Sequence, residues 1–473
     1  MRIAILGAAL IGLTACEVGP NFKAPQIPAT DRYLPTDVPQ SFASGADIPY
    51  AWWTIYGCPP LDAVVASALR GSPTVQAAQA ALRQANELVK AQRATLFPTV
   101  QAQYAPSRQR NAVGTLAPTL TNGQPVFTLQ TAQVSVSYML DVFGANRRQI
   151  ESAQALADSQ RYDLEAAYLT LTSNIVATAI QEAGLRAQIQ ANEDIVRSER
   201  DGLDILNKQL ALGSIAQTAV MAQQAALAAA EAQLPPLRKQ LAMQRDLLSV
   251  LAGRSPGEPP AQTFDLSALS IPKDLPLRVP SALVRQRPDV LAAEAQLHYA
   301  SAQVGVAIAD MLPQINLTAA LGGASTNLST LFANGNMFWS AGATLSQTLF
   351  AGGALWHHKL AADAALDEAG AQYRTAVLTA LQNVADTLNA LQFDAQAVAA
   401  DDRAEQAARQ SLEATRASLS QGSVTYLDLL LAQQAQAQAL ANLEQARAGH
   451  LADTAALFVA LGGGWWNRPN QAR

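Results

Sequence analysis

The sequence predicts a mainly α-helical protein that also carries membrane-spanning β-strands, built from two tandem structural repeats. Three observations predict it. The chain is written twice, because Leu69 to Gly253 returns with substitutions as Val284 to Gly463, and copies of that length are expected to fold alike about a pseudo-axis. Arg147 to Leu210 and Ala354 to Ser420 contain no proline and little glycine, so each supports a helix of roughly 100 Å at about 1.5 Å per residue. Each copy also holds two segments of period-two alternation, long enough to span lipid as strands.

The register of the duplication is fixed by several landmarks. Arg70-Gly71-Ser72-Pro73-Thr74-Val75 returns as Arg285-Gln286-Arg287-Pro288-Asp289-Val290, and Leu96-Phe97-Pro98 as Met311-Leu312-Pro313. Phe143-Gly144 matches Phe350-Ala351-Gly352, Gly213-Ser214 matches Gly422-Ser423, and Gln223-Gln224 matches Gln433-Gln434. These landmarks divide the chain into a first repeat at 69–253, a proline-rich linker at 254–283, a second repeat at 284–463 and a tail at 464–473.

Ahead of the repeats, residues 1–15 read as a signal peptide: Arg2 is the positive end and Ile3 to Leu13 the apolar run. Leu13-Thr14-Ala15-Cys16 resembles a bacterial lipobox, which implies cleavage before Cys16 and lipid on that residue. Glu17, rather than aspartate, follows the cysteine and leaves the chain free to reach the outer membrane. Residues 16–68 are then a lipid-anchored extension. The apolar run is too short for a membrane helix, and no later stretch reaches the required ~20 residues, so any crossing is made by strands. If Cys16 carries lipid, Cys58 is left without an internal partner and is expected to be buried and inert.

Each copy opens with a helix, Pro73 to about Thr95 and Pro288 to about Asp310, started by a proline whose missing donor does no harm in the first turn. Beyond Pro98, Val100, Ala102 and Tyr104 alternate with polar residues; beyond Pro313, Ile315, Leu317, Ala319 and Leu321 do the same. Polar loops follow at Arg108 to Gln124 and Gly322 to Asn336. Alternation then resumes through Val134, Val136 and Tyr138 in one copy and Trp339, Ala341, Ala343 and Leu345 in the other. Each copy therefore contains one hairpin, with Tyr104, Phe127, Tyr138, Phe338, Trp339 and Phe350 placed as interfacial aromatics.

The long helices follow. Val377, Leu381, Val384, Leu388 and Leu391 step by four and three, and Ile189, Val196, Leu203 and Leu210 by seven, as coiled-coil seams do. Gly213-Ser214 and Gly422-Ser423 end them, and Leu227, Leu234, Leu241 and Leu248 resume a seven-residue step in a returning helix. Pro235-Pro236 removes two donors there and is expected to kink or break the first returning helix only.

The composition excludes several functions. A net charge of −5 with scattered Lys and Arg offers no basic stripe for nucleic acid. Four histidines, two of them adjacent at His357-His358, give no metal spacing, and Glu294 with His298 reads as a solvated helical pair. The glycine pairs at Gly322-Gly323 and Gly352-Gly353 and the run Gly462-Gly463-Gly464 read as turns and caps, not phosphate loops, and no nucleophile elbow is present. No enzyme, cofactor or metal is expected.

The order of lipobox, helix, hairpin, long helix, tip and return helix, given twice, resembles the TolC-like outer-membrane efflux proteins, in the lipoprotein branch related to OprM and NodT. The stretches that carry the resemblance are Cys16-Glu17-Val18-Gly19-Pro20-Asn21-Phe22-Lys23-Ala24-Pro25, Trp52-Trp53, Arg287-Pro288-Asp289-Val290, Ala351-Gly352-Gly353 and Gly422-Ser423-Val424-Thr425-Tyr426-Leu427-Asp428-Leu429-Leu430. The resemblance implies a homotrimer whose four strands per subunit close one β-barrel in outer-membrane lipid, continued by a long α-helical coiled-coil barrel through the periplasm. It implies a passive exit duct for drugs or other small molecules, working with a periplasmic adaptor protein and an inner-membrane transporter of the RND type. An exit duct for secreted polypeptides is the alternative. By the same resemblance the helical tips at Gly213, Ser214, Gly422 and Ser423 meet the adaptor, and Leu427, Asp428 and Leu431 form the channel gate; the alternative for Asp428 is a carboxylate that only balances charge at a helix start, where the dipole favours it. Four strands cannot close a barrel alone, and open edges in lipid cost several kcal/mol per unpaired group, so oligomerisation is expected on physical grounds as well.

Overall fold

The computed structural model describes residues 17–25, 33, 42–44, 47–110, 126–271, 275–277 and 285–469. The signal peptide, Cys16 and most of the first hairpin loop, Asn122 included, lie outside the described residues.

In chain order the elements are β1 (Phe42–Ser44), α1 (Pro59–Gly71), α2 (Pro73–Arg93), β2 (Thr99–Arg110), β3 (Val126–Leu140), α3 (Ala145–Ala211), α4 (Gln217–Leu251), β4 (Leu275–Leu277), α5 (Pro288–Ala309), β5 (Gln314–Ser325), β6 (Met337–Ser346), α6 (Ala354–Ser420) and α7 (Tyr426–Ala460). The sequence of helix, two strands, 67-residue helix and 35-residue helix occurs twice. The protein is mainly helical, with one four-stranded sheet and a short parallel pairing of β1 with β4. It divides into two compact units, one of Met1–Pro25, Ala81–Gln160 and Ala293–Tyr373, the other of Gln26–Ala80, Arg161–Ala292 and Arg374–Arg473.

The first unit holds the sheet. Its strand order is β2-β3-β5-β6 and every pairing is antiparallel, so the strands run up and down in turn. The register aligns the apolar sets. Ala102 faces Val134, Val134 faces Leu321 and Leu321 faces Trp339, while Val100, Val136, Ala319 and Ala341 form the neighbouring row. Side chains alternate along a strand, so these rows share one surface and Gln101, Ser135, Ala320 and Ser340 share the other. The apolar surface is uncovered within the chain: Val100, Tyr104, Val134, Leu321, Trp339 and Leu345 are all exposed.

Two sequence expectations change here. Gly322 and Gly323, read as part of a loop, lie inside β5. A Cβ on Gly322 would stand 2.4 Å from the Ala132 carbonyl oxygen, and one on Gly323 2.2 Å from that of Leu331, so neighbouring backbone comes too close for any side chain. The aromatic girdle is also incomplete: Phe127 is buried, and Phe350 lies beyond the end of β6.

The second unit packs the C-terminal parts of α3 and α6 with α4 and α7. Trp52 stacks on Phe458 at 5.6 Å, and the Tyr56 hydroxyl donates to the Leu451 carbonyl at 2.9 Å, tying the extension to α7. Arg287 donates to the last-turn carbonyl of Ala460 at 3.0 Å while Asp289 holds its other nitrogens at 2.9 and 2.6 Å, which accounts for the Arg-Pro-Asp stretch. Cys58 is buried and free. The seams form in part: Val196, Val377, Val384, Leu388 and Leu391 are buried, whereas Ile189, Leu203, Leu210 and Leu381 are half-buried.

The proline pair does not break its helix. Pro235 and Pro236 lie inside a continuous α4, and α4 and α7 have equal lengths. Interior proline costs about 3 kcal/mol or more through a lost bond and a ring clash. Both prolines and Glu231, Ala232 and Gln233 are exposed, so the freed carbonyls face solvent, while Leu234 and Leu248 stay buried and hold the helix on its packed side.

One half-buried contact carries pH dependence. Asp394 of α6 meets Asp453 of α7, and burial first, then the hydrogen bond and charge of Asp453, push the Asp394 carboxyl up to about 6. A raised folded-state pKa means that the protonated form is the one the fold favours. The contribution is therefore complete at acidic pH and lost as pH rises through about 6.

Two outcomes follow from this packing. Gly322→Ala lowers folded-sheet stability by about 1–3 kcal/mol, as overpacking does, whereas Gly342→Ala, whose Cβ meets nothing nearer than Thr318 Oγ1 at 3.9 Å, leaves it unchanged; thermal melting of the purified protein compares them. Melting followed between about pH 5 and pH 7.5 shows wild-type stability falling with rising pH, and Asp394→Asn flattens that part of the profile.

Candidate functional site

The helical tips bring most of the sequence-marked residues together. In the first, Gly213 takes φ +73° and its N–H donates to Leu210 O at 2.9 Å, while Ser214 N–H donates to Gln209 O at 3.0 Å. In the second, Gly422 takes φ +71°, donating to Leu419 O at 2.9 Å, and Ser423 N–H donates to Ser418 O at 3.1 Å. This paired reverse bonding terminates a helix through a left-handed residue, a conformation that glycine adopts without strain. The serine hydroxyls add a further bond each, Ser214 Oγ to Gln209 O at 2.8 Å and Ser423 Oγ to Ser418 O at 3.0 Å. Nothing packs within 4 Å of either glycine's missing Cβ, so both turns are open to an outside surface.

The returning helices begin differently. Ala216 caps α4 with no side-chain bond. Thr425 caps α7 with a complete capping box: Asp428 N–H donates to Thr425 Oγ1 at 3.3 Å, and Asp428 Oδ2 accepts from Thr425 N at 2.7 Å and Thr425 Oγ1 at 2.6 Å. The Thr425 hydroxyl and backbone bonds hold the exposed Asp428 carboxyl below its ordinary range. Leu427 and Leu431, four residues apart, are exposed beside it, whereas Leu429 and Leu430 turn inward and are buried.

A groove of about 750 Å³ joins the two tips. Ile205, Leu206 and Gln209 of α3, Ala219, Ala222 and Ala226 of α4, and Tyr426, Leu427, Leu430 and Leu431 of α7 line it, with Ile215, Leu419, Val424 and Thr425 at the turns. Its depth depends on Gly202, where a Cβ would stand 2.8 Å from both Leu430 methyl carbons. Polar ties close its inner end. Gln223 donates to the Glu199 carbonyl at 2.9 Å and carboxylate at 2.5 Å, and Ser198 donates to Gln433. Sequence reading found the glutamine pairs as repeat markers but missed Glu199 and Gly202, whose signal was a glutamate and a glycine at seam spacing in an otherwise apolar stripe. Burial, then Asp201 and Glu199, raises the Tyr426 hydroxyl, so it remains a neutral donor.

A second groove of about 610 Å³ lies against α3, α4 and α7, and its polar lining is uncharged: Gln188, Asn192, Gln233, Gln240, Gln438, Asn442 and Gln445. Among the described residues there is no group of His, Cys, Asp or Glu side chains able to hold a metal, and no helix is long and apolar enough to cross a membrane. His298, read as pairing with Glu294, instead lies 2.7 Å from Glu151 and stacks on Phe22. The correction follows from α5 packing against α3, which offers a nearer carboxylate than its own helix does.

The comparisons with known proteins agree with this geometry. The family model for outer membrane efflux proteins matches residues 64–254 and 279–463. The chain is 30% identical over 417 residues to the pyoverdine export outer membrane protein OpmQ of Pseudomonas putida, covering 88% of each. It is 26% identical over 463 residues to nodulation protein T of Rhizobium leguminosarum bv. trifolii, covering 96% of this chain and 95% of that one. Among solved structures, the outer-membrane channel OprN aligns with a TM-score of 0.84 at 26% identity, over 95% of this chain and 100% of that one. With both of its halves matched by one family model and its strands and long helices matched by a solved channel, the chain belongs to the outer membrane efflux protein family.

Proposed function

We propose that three copies of this chain form the exit duct of a tripartite efflux system, passively conducting drugs or other small molecules from a periplasmic adaptor and an inner-membrane transporter, of the RND type, to the cell exterior. The observation that carries the reading is the four-stranded sheet with one exposed apolar face and two free edges. In lipid those edges need partners. Because the four strands alternate in direction, β6 of one copy runs antiparallel to β2 of the next, and the pattern continues without a break around a closed barrel. Three copies give the twelve strands that the family resemblance implies, and the 67-residue helices that leave β3 and β6 extend the wall.

Cys16 is read as the lipidated mature N-terminus, a second anchor beside the barrel. The open tips around Gly213, Ser214, Gly422 and Ser423 are the surface offered to the adaptor. At the gate, a threefold axis gathers three Asp428 carboxylates beside apolar constrictions from Leu427 and Leu431. Like charges there favour cations and repel anions. The capping box keeps each carboxylate ionised and fixed at the start of α7. The uncharged amides of the second groove fit a wall that discriminates little among solutes.

Single-trimer conductance in planar bilayers tests the gate. Asp428→Ala raises conductance or lowers cation selectivity with trimer assembly unchanged, and unaltered values remove Asp428 from the gate. Because the folded-state pKa is lowered, wild-type selectivity persists from about pH 8 to about pH 5 and is lost only as pH falls through the ordinary carboxylate range and below. The topology is tested by Asn334→Cys in a Cys58→Ser background: an impermeant maleimide labels it on intact cells, and labelling only after outer-membrane rupture overturns the orientation.

A further inference from the structure

Arg148, in the first turn of α3, is 2% exposed, and most of its partners come from the other end of the sequence. Its Nε donates to Val18 O at 3.0 Å, and its Nη2 to Gly19 O at 3.4 Å and Asn21 Oδ1 at 2.8 Å. Glu17 lies 3.6 Å away. Only Glu151, at 2.6 Å, belongs to its own helix. A buried guanidinium left with one carboxylate would be short of acceptors, so the segment and Arg148 depend on each other.

The segment is also shaped to fit. Gly19 has φ +93°, and a Cβ there would stand 2.4 Å from the Gly305 Cα of α5; a Cβ on Gly305 would in turn meet Arg148 Cδ at 2.8 Å. Val18 N–H donates to Phe143 O at 3.2 Å. Phe22 stacks on His298 with ring centroids 4.3 Å apart and planes at 13°. His298 in turn contacts Glu151; burial opposes ionisation of that carboxyl, but hydrogen bonds from His298 and Arg148 outweigh it and hold its pKa low. Glu17 abuts Gly144, which stands between the end of β3 and the start of α3.

We propose that this cradle is a specific seat for the mature N-terminal arm, reading Glu17, Gly19, Asn21 and Phe22, and that it locks the lipid-bearing end of the chain to the base of the membrane sheet. The lipid-bearing part rests on the reading of Cys16 as the lipidated N-terminus. Seated in this way, Glu17 stands at the corner where β3 hands over to α3, and the lipid and the sheet act as one anchor instead of two joined by a tether.

The test is limited trypsin digestion of the full-length protein in detergent, following cleavage after exposed Lys23 by mass spectrometry. The wild type is cut slowly there. Arg148→Ala speeds release of the peptide ending at Lys23 roughly tenfold, as expected when a local opening equilibrium shifts toward the open form. Asn21→Ala, which alters an exposed residue and leaves the core intact, speeds it by a smaller factor and decides the matter if Arg148→Ala misfolds. Unchanged cleavage in folded Arg148→Ala, or in Asn21→Ala should the former not fold, overturns the seat. The mass of the released peptide separates the two readings: accelerated release without acyl groups upholds the seat and removes the lipid from it.

Discussion

Every backbone N–H and C=O that enters lipid must find a partner inside protein, and the architecture of this chain follows from that constraint. Four strands satisfy three of the interfaces they create and leave β2 and β6 with one open edge each. Only further strands running in the right direction complete them. The even number of strands per copy provides that direction without any special joint. The apolar rows through Ala102, Val134, Leu321 and Trp339 lie on one exposed surface of the sheet, the surface that meets hydrocarbon in the proposed duct. Glycine at 322 then reflects how closely β5 lies against β3, and glycine at 323 how closely the Leu331 backbone of the following connection folds back on β5.

The helices obey a different constraint. They stand in water, where their own bonds are satisfied and only their ends and seams need attention. The ends are closed by four equivalent reverse-bonded turns, at Gly213, Gly253, Gly422 and Gly462. The seams are apolar but not uniformly so. Glu199 with Gln223, Glu405 with Gln436, and Asp394 with Asp453 set polar contacts among the leucines and valines. Such contacts add little net stability when buried, yet they penalise any other register, because a displaced partner leaves a polar group unpaired.

The two copies share a plan and differ in chemistry at the tips. Thr425 and Asp428 fasten the start of α7, while Ala216 leaves α4 uncapped; Pro235 and Pro236 remove two bonds from α4, while α7 has none missing. The first hairpin is therefore the less firmly bonded of the two, at the start of its returning helix and again in the middle of it.

The sequence by itself determined the duplication, the strands, the length of the helices and the position of both tips, because each is written in local chemistry: a period of two, a period of seven, a proline that cannot donate, a glycine that tolerates positive φ. The tertiary structure decided what local chemistry leaves open. Gly322 and Gly323 read as a turn until β3 lies beside them, and Pro235-Pro236 read as a break until a packed stripe holds both sides of it. Glu294 and His298 are neighbours on one helix, yet His298 finds Glu151 and Phe22. Arg148 and Val18 are 130 residues apart and meet at 3.0 Å. No window of sequence contains both partners, so the seat exists only once the chain has folded back on itself.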